Sequence, residues 1–101
     1  MRVLVGLSFA LAATLSFVES AHGNPVERAC RAAGRAQSAE LCSCIGAAAS
    51  LTLGERDQAL AADFFANPQA AQDIRMSDRR RDEAFWDRYL NFGQVAEDMC
   101  G

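Results

Sequence analysis

The stretch LCSCIG, residues 41–46, places two of the four cysteines of the chain one residue apart. The other two are Cys30 and Cys100, and four cysteines allow three pairings. Positions two apart on a helix differ by about 200° around its axis, so the side chains of Cys42 and Cys44 diverge. A bond between these two would also close a very small ring. We therefore expect each of them to bond a different cysteine elsewhere in the chain.

Two pairings meet this condition. If the chain forms an antiparallel helical hairpin about a turn near Ala36, Cys30 faces Cys42, and Cys44 is left for Cys100. Moving the turn by one residue favours Cys30 with Cys44 and Cys42 with Cys100, so this alternative stays open. In chain-entropy terms, closing loops of about 12 and about 56 residues stabilises by roughly 3 and 4 kcal/mol. We prefer the first pairing and expect the bonds to supply much of the stability of so small a domain.

The amino-terminal residues have the pattern of a secretory signal peptide. One arginine precedes an apolar run from Val3 to Val18, and small and polar residues follow. The run is shorter than the about 20 residues that a spanning helix needs. Small side chains before the cut fit cleavage after Gly23 or after Ser20, with an uncleaved anchor as the alternative. We expect residues 1–23 to be a cleaved signal peptide and residues 24–101 to be a single disulfide-stabilised helical domain.

Export and charge narrow the partners that we expect. A periplasmic or secreted chain with an even number of cysteines is interpreted first as a disulfide framework. The sequence has a net charge of −3, and removing residues 1–23 takes away one arginine and one acidic residue, which leaves this balance unchanged. General nucleic-acid and anionic-membrane binders need a clustered positive surface. We expect no nucleic-acid partner and no stable membrane insertion after cleavage, whereas a protein partner and the oligomeric state stay open.

Cap residues and prolines divide the mature chain into helices. The predicted helix starts are Asn24-Pro25, Ser38, a capping box at Thr52-Leu53-Gly54-Glu55, Asn67-Pro68 and Ser77-Asp78. The predicted ends lie near Gly34, Leu51, Asn67 and Met76. No alternating pattern competes with the helical periodicity. The fold class that we predict is all-α, a small bundle of four or five short helices stapled by two disulfides.

The last helix is predicted to be the core helix. Apolar residues recur along it at steps of four and three, which is the spacing of one helix face. They are Phe85, Tyr89, Phe92, Ala96 and Met99, and Trp86 and Leu90 widen the stripe. We interpret this aromatic mass as core rather than as a ligand cage.

The candidate site residues are Cys30, Cys42, Cys44 and Cys100, as structural disulfides. A C-x-C pair could instead hold Cu(I), with a thioether from Met76 or Met99. Zinc sites usually space paired ligands by two to four residues, and the one histidine, His22, would leave with the signal peptide. Thiol-disulfide exchange proteins usually present C-x-x-C at a helix start after a strand. We therefore expect no metal and no cofactor.

We expect no enzymatic activity. The mature chain lacks a histidine to act as a base, a glycine-rich phosphate loop and a G-x-S-x-G elbow. Residues 78–83, DRRRDE, contain three consecutive arginines, but the flanking acids neutralise them, as is typical of a solvated helix start. An anion or nucleic-acid site at these arginines is the alternative.

Several segments resemble a family of small secreted bacterial proteins of unknown function with a C-x11-C-x-C pattern. They are RACRAAG (28–34), LCSCIG (41–46), FFANPQAAQ (64–72), SDRRRDEAFWDRY (77–89) and the closing Cys100-Gly101. The resemblance covers nearly the whole mature chain and implies no catalytic or binding residues. Some members carry the label "arginine transporter", although one removable apolar segment cannot form a pathway across a membrane. At most the label would describe a soluble binding component, for which a chain this short has little pocket volume.

The sequence therefore predicts a small exported non-enzymatic protein, a periplasmic structural or protein-interaction module. The alternatives are a copper-handling protein, an arginine-binding accessory protein and a thiol-disulfide exchange protein.

Overall fold

The structure is a computed structural model that describes residues 23–34 and 38–101. Within these ranges the chain forms five helices and no strand: α1 (Pro25–Ala33), α2 (Ala39–Thr52), α3 (Glu55–Ala66), α4 (Pro68–Arg75) and α5 (Arg80–Cys100). The predicted all-α bundle of short helices with two disulfides is confirmed. Residues 1–22 of the predicted signal peptide and the predicted turn at Ala36 lie outside the described residues.

Asn24 both caps α1 and attaches it to α2. Its Oδ1 accepts a hydrogen bond from the backbone N–H of Glu27 at 3.0 Å, which is the geometry of a helix N-cap. Its Nδ2 donates to the carbonyl oxygen of Gly46 at 2.7 Å and to Oγ of Ser50 at 2.8 Å. The predicted start of the first helix is thus confirmed, and the same residue fixes the position of that start on the neighbouring helix.

The capping box predicted at Thr52 is wrong. Thr52 is the last residue of α2, and its hydroxyl donates to the carbonyl of Ala48 at 2.7 Å within the same helix. The chain turns one residue later, at Leu53, because that side chain is buried in the core. Gly54 then precedes α3 without a side-chain cap among the described residues. Burial of Leu53 therefore decides where α2 ends, and the local cap pattern does not.

The start of α5 also differs from the prediction. Ser77 and Asp78 were expected to cap it, whereas α5 begins at Arg80. Oγ of Ser77 instead accepts a hydrogen bond from the backbone N–H of Arg79 at 3.1 Å and donates to Oδ2 of Asp82 at 2.7 Å. Ser77 therefore stabilises the first turn of α5 from a position before the helix.

The helices enclose one core. Helix α1 packs on α2 and α3, α2 packs on α5, and α4 bridges α3 and α5. The buried residues that form its centre are Val26, Ala48, Ala49, Leu53, Ala61 and Phe92. Leu90 is 55% exposed and Met99 is 45% exposed, so their predicted place on the core face is wrong. Helix α5 spans 21 residues and buries only a narrow stripe, centred on Phe85 and Phe92.

Glycine at position 46 lets α1 and α2 approach closely. A methyl group built on Gly46 would lie 2.7 Å from Cβ of Glu27 and 3.0 Å from its Oε1. Glu27 cannot move aside freely, since it is buried and its Oε2 accepts a hydrogen bond from Arg31 at 2.5 Å. The spacing of the two helices therefore requires that position 46 carry no side chain.

Tyr89 lies at the centre of an aromatic cluster. Its ring centroid is 5.1 Å from those of Phe64 and Trp86, 5.8 Å from that of Phe92 and 5.9 Å from that of Phe85. Phe64 meets it edge to face, at an interplanar angle of 81°. Burial in this cluster raises the pKa of the Tyr89 phenol. The cluster joins α3 to α5.

We expect Gly46→Ala to lower the free energy of unfolding relative to Gly93→Ala, the matched control. Both glycines lie inside helices, so the propensity gain of about 1 kcal/mol is common to the two variants and cancels. A Cβ on Gly93 meets no described atom within 4 Å, whereas a Cβ on Gly46 overpacks the interface, at a typical cost of about 1–3 kcal/mol. Urea unfolding of the oxidised proteins measures the difference. Equal free energies for the two variants would contradict the close approach.

We also expect stability to fall in alkaline solution because of Tyr89. The folded-state pKa of its phenol lies above the value near 10 of an unfolded chain. The folded state then binds the extra proton, so the contribution of Tyr89 is full below about pH 10 and is lost as pH rises through the folded pKa. Tyr89 is the one tyrosine of the chain, so phenolate absorbance reports it directly. If the phenol of Tyr89 titrated at the same pH in the folded protein and in urea, this prediction would be contradicted. The Tyr89→Phe variant should not show the loss of unfolding free energy at alkaline pH.

Candidate functional site

The four cysteines lie in two separate places, one on each side of α2. Cys30 of α1 is bonded to Cys42, with Cα atoms 5.6 Å apart, and Cys100 of α5 is bonded to Cys44, with Cα atoms 5.8 Å apart. Both separations lie in the ordinary range for disulfides. This is the first of the two pairings that the sequence left open. The stretch LCSCIG thus anchors two bonds that leave α2 in different directions.

The two disulfides differ in exposure. Cys30 and Cys42 are 2% and 1% exposed, whereas Cys44 and Cys100 are half-buried. All four cysteines fall in the described part of the chain, and none of them is a free thiol there. A bonded sulfur is not a thiolate, so in this oxidation state the cysteines offer neither a soft metal ligand nor a nucleophile.

Both methionines of the copper hypothesis are exposed. Met76 follows α4 and is 78% exposed, and Met99 is 45% exposed beside Cys100. The described residues also contain no group of three or more histidine, cysteine or acidic side chains placed to hold a metal ion. Within the same ranges, none of the helices is both long and apolar enough to span a membrane.

A pocket of about 320 Å³ lies where α3, α4 and α5 meet, and we call it the three-helix pocket. Its apolar lining comes from one residue of each helix, Leu60, Ile74 and Phe85. Its charged lining is Arg56, Asp57, Arg81, Asp82 and Arg88. Helical spacing explains why α5 contributes both charged and apolar lining. Arg81, Phe85 and Arg88 are four and three residues apart, so they share one face of the helix.

Both carboxylates of the three-helix pocket already have partners. Asp57 accepts two hydrogen bonds from Arg88, at 2.5 Å from Nε and 3.1 Å from NH2. The hydrogen bond to Asp57 raises the pKa of the Arg88 guanidinium. Asp82 accepts the hydrogen bond from Ser77. In the described part of the chain Arg56 and Arg81 have neither an ion-pair nor a hydrogen-bond partner, so their guanidinium groups are available at this pocket.

Sequence reasoning missed this pocket. Asp57 and Arg88 are 31 residues apart, so no local pattern pairs them. Arg79, Arg80 and Arg81 are all exposed, which agrees with a solvated helix start, and Arg81 also lines the pocket. The sequence signal for the pocket is the i, i+4, i+7 spacing of Arg81, Phe85 and Arg88, in which Phe85 also belongs to the aromatic stripe of the core.

A second, more open cavity of about 590 Å³ lies between α1 and α3. The residues that line it are all apolar: Ala29, Ala32, Ala33, Phe65 and Ala66. Its described lining residues contribute no polar side chain to orient a ligand, whereas binding sites for small molecules normally contain a few such groups.

No family model, no curated protein and no solved structure matches this chain. The resemblance to small secreted bacterial proteins therefore stays an expectation.

We expect limited reduction of the folded protein to open Cys44–Cys100 before Cys30–Cys42. Thiol-disulfide exchange requires an attacking thiolate to reach a disulfide sulfur. Burial of Cys30 and Cys42 prevents this at the bond between them. Alkylation after brief treatment with a mild reductant, followed by peptide mapping, identifies the sulfurs that are released first. The preference should disappear in urea, which supplies the control. Earlier labelling of Cys30 and Cys42 in the folded protein would contradict the prediction.

Proposed function

We propose that this chain is a small non-catalytic module that is exported to the periplasm or beyond, folds there and acts by binding a protein partner. The observation that carries the proposal is the pairing of all four cysteines in two disulfides that link α1 to α2 and α2 to α5. Disulfides persist in exported proteins and are rare in reducing compartments. The predicted signal peptide supports the same compartment.

The disposition of the cysteines favours a structural role over the metal and redox alternatives. A copper site would need thiolates, and these sulfurs are consumed in bonds on two sides of α2. An exchange protein presents an attacking cysteine next to a resolving one. The neighbours here, Cys42 and Cys44, bond in different directions instead.

The surface of the bundle supports a binding role. Leu51 and Met76 expose 72% and 78% of their surface, and the three-helix pocket combines an apolar lining with Arg56 and Arg81, which have no partner among the described residues. Crosslinked helices lose little conformational freedom when a ligand binds, which favours affinity for a given contact area. These features favour a protein that binds a partner through the surface of a small rigid scaffold.

We expect the protein from the periplasmic fraction to have an intact mass four hydrogens below that of the reduced chain, two for each disulfide. Without reductant it should take up no alkylating agent, and it should carry no stoichiometric copper. The matched control is the same chain made in the cytoplasm without residues 1–23, which should be reduced. Free thiols or bound copper in the periplasmic protein would overturn the proposal in favour of redox exchange or copper handling.

Photo-crosslinking in intact cells tests whether the chain binds a protein partner. A photo-crosslinking residue introduced at the exposed positions 51 and 76 should yield discrete crosslinked products in intact cells. The same variants without irradiation are the control that should yield none. A chain that is crosslinked to no protein from any exposed position would contradict a protein-interaction role.

A further inference from the structure

The three-helix pocket combines the features of a binding site for a small organic anion. Its volume of about 320 Å³ is at the lower end of the range of about 300–1,000 Å³ for ligand pockets. Apolar side chains from three helices line it, and two guanidinium groups at its wall lack partners in the described chain. Such pockets typically pair a largely apolar wall with a few polar groups that orient the ligand.

The charge of the pocket is positive, against the balance of the chain. Three arginines and two aspartates line it, whereas the whole sequence has a net charge of −3. Arg88 and Asp57 neutralise each other, and both oxygens of the Asp57 carboxylate accept a hydrogen bond from Arg88. The remaining charges of the lining are those of Arg56, Arg81 and Asp82, so the pocket keeps one positive charge in excess.

Guanidinium groups select the anion. An arginine presents planar N–H donors that match the two oxygens of a carboxylate, and charge-assisted hydrogen bonds of this kind are stronger than neutral ones. Arg56 projects from the first turn of α3 and Arg81 from the first turn of α5, so one carboxylate can be approached from two helices. Leu60, Ile74 and Phe85 provide the complementary surface for an apolar group attached to that carboxylate.

We propose that the three-helix pocket binds a carboxylate attached to a compact apolar group, with Arg56 and Arg81 holding the carboxylate and Leu60, Ile74 and Phe85 holding the apolar group. This inference rests on the proposed binding function and specifies its ligand chemistry. The carboxyl-terminal residue of a protein with an apolar side chain has this chemistry, and so does a free organic acid.

The same geometry disfavours arginine as the ligand of this pocket. Of the two carboxylates that an arginine side chain could pair with, Asp57 is already paired with Arg88, and Asp82 accepts a hydrogen bond from Ser77 at one of its oxygens. Binding its guanidinium group would also place a further positive charge beside Arg56 and Arg81, which like-charge repulsion opposes.

Isothermal titration calorimetry of the purified oxidised chain at low salt tests the inference with two probes. One probe is 3-phenylpropionate, and the other is an acetylated tripeptide that ends in phenylalanine with a free carboxylate. The amide of each probe keeps its apolar group and lacks the charge. We expect each acid that binds to do so at least about tenfold more tightly than its amide. The acid that binds more tightly identifies the source of the ligand.

Variants then locate the binding. The double variant Arg56→Gln, Arg81→Gln should weaken binding by about tenfold or more. The double variant Arg79→Gln, Arg80→Gln is the matched control, because it removes the same charge from exposed residues that do not line the pocket and should bind almost as the parent does. Thermal melts should show all variants folded, since Arg56 and Arg81 make no ion pair or hydrogen bond in the described chain.

Three results would overturn the inference: equal binding of acid and amide, no binding of either acid, or unchanged binding in the Arg56→Gln, Arg81→Gln variant. Because the titration uses the purified folded chain, its failure leaves the oxidised state and the crosslinking result untouched. A reduced or uncrosslinked protein in cells would count against the proposed function and would leave the titration unaffected.

Discussion

The structure depends on the divergence of two side chains on one helix. Cys42 and Cys44 are two residues apart on α2, so their bonds leave the helix on different sides, one toward α1 and the other toward α5. A single short helix thereby fixes both of its neighbours, which come from opposite ends of the domain sequence. The close approach at Gly46 and the hydrogen bonds of Asn24 set the distance on the α1 side, so the covalent bond there joins surfaces that already fit.

The disulfides do not reach the other half of the bundle. Helices α3 and α4 contain no cysteine. Helix α3 is held to α5 by the packing of Phe64 on Tyr89 and by the Arg88–Asp57 pair, and it also packs on α1. Helix α4 packs on α3 and α5. Aromatic packing of this kind contributes through burial and edge-to-face geometry, while an ion pair with one half-exposed partner adds modestly. The three-helix pocket lies in this part of the molecule, where noncovalent contacts alone set the shape of the site.

Local and long-range features were predictable to different degrees. The helix that begins at Asn24-Pro25 and the all-α class could be predicted from local sequence. A cap residue bonds only to residues within the first turn of its own helix. The cysteine pairing was narrowed to two choices by helix geometry, and one residue of register separated them. The capping box predicted at Thr52 was wrong because the chain turns at Leu53, whose side chain is buried in the core, and such burial is a tertiary effect. The Arg88–Asp57 pair spans 31 residues and had no local signature, so the candidate pocket emerged only once the helices were placed.

The separation of the covalent and noncovalent halves bears on how such a chain can work. The Cys44–Cys100 bond fixes the carboxyl-terminal end of α5, whereas the pocket is built on residues 81–88 near the other end of that helix. A helix transmits position along its axis because its backbone hydrogen bonds resist bending. Fixing one end of α5 on α2 therefore orients the face that carries Arg81, Phe85 and Arg88 without occupying it. The disulfides therefore stabilise the bundle from outside the pocket, and the positions of Arg81, Phe85 and Arg88 depend on them only through the helix that carries all three.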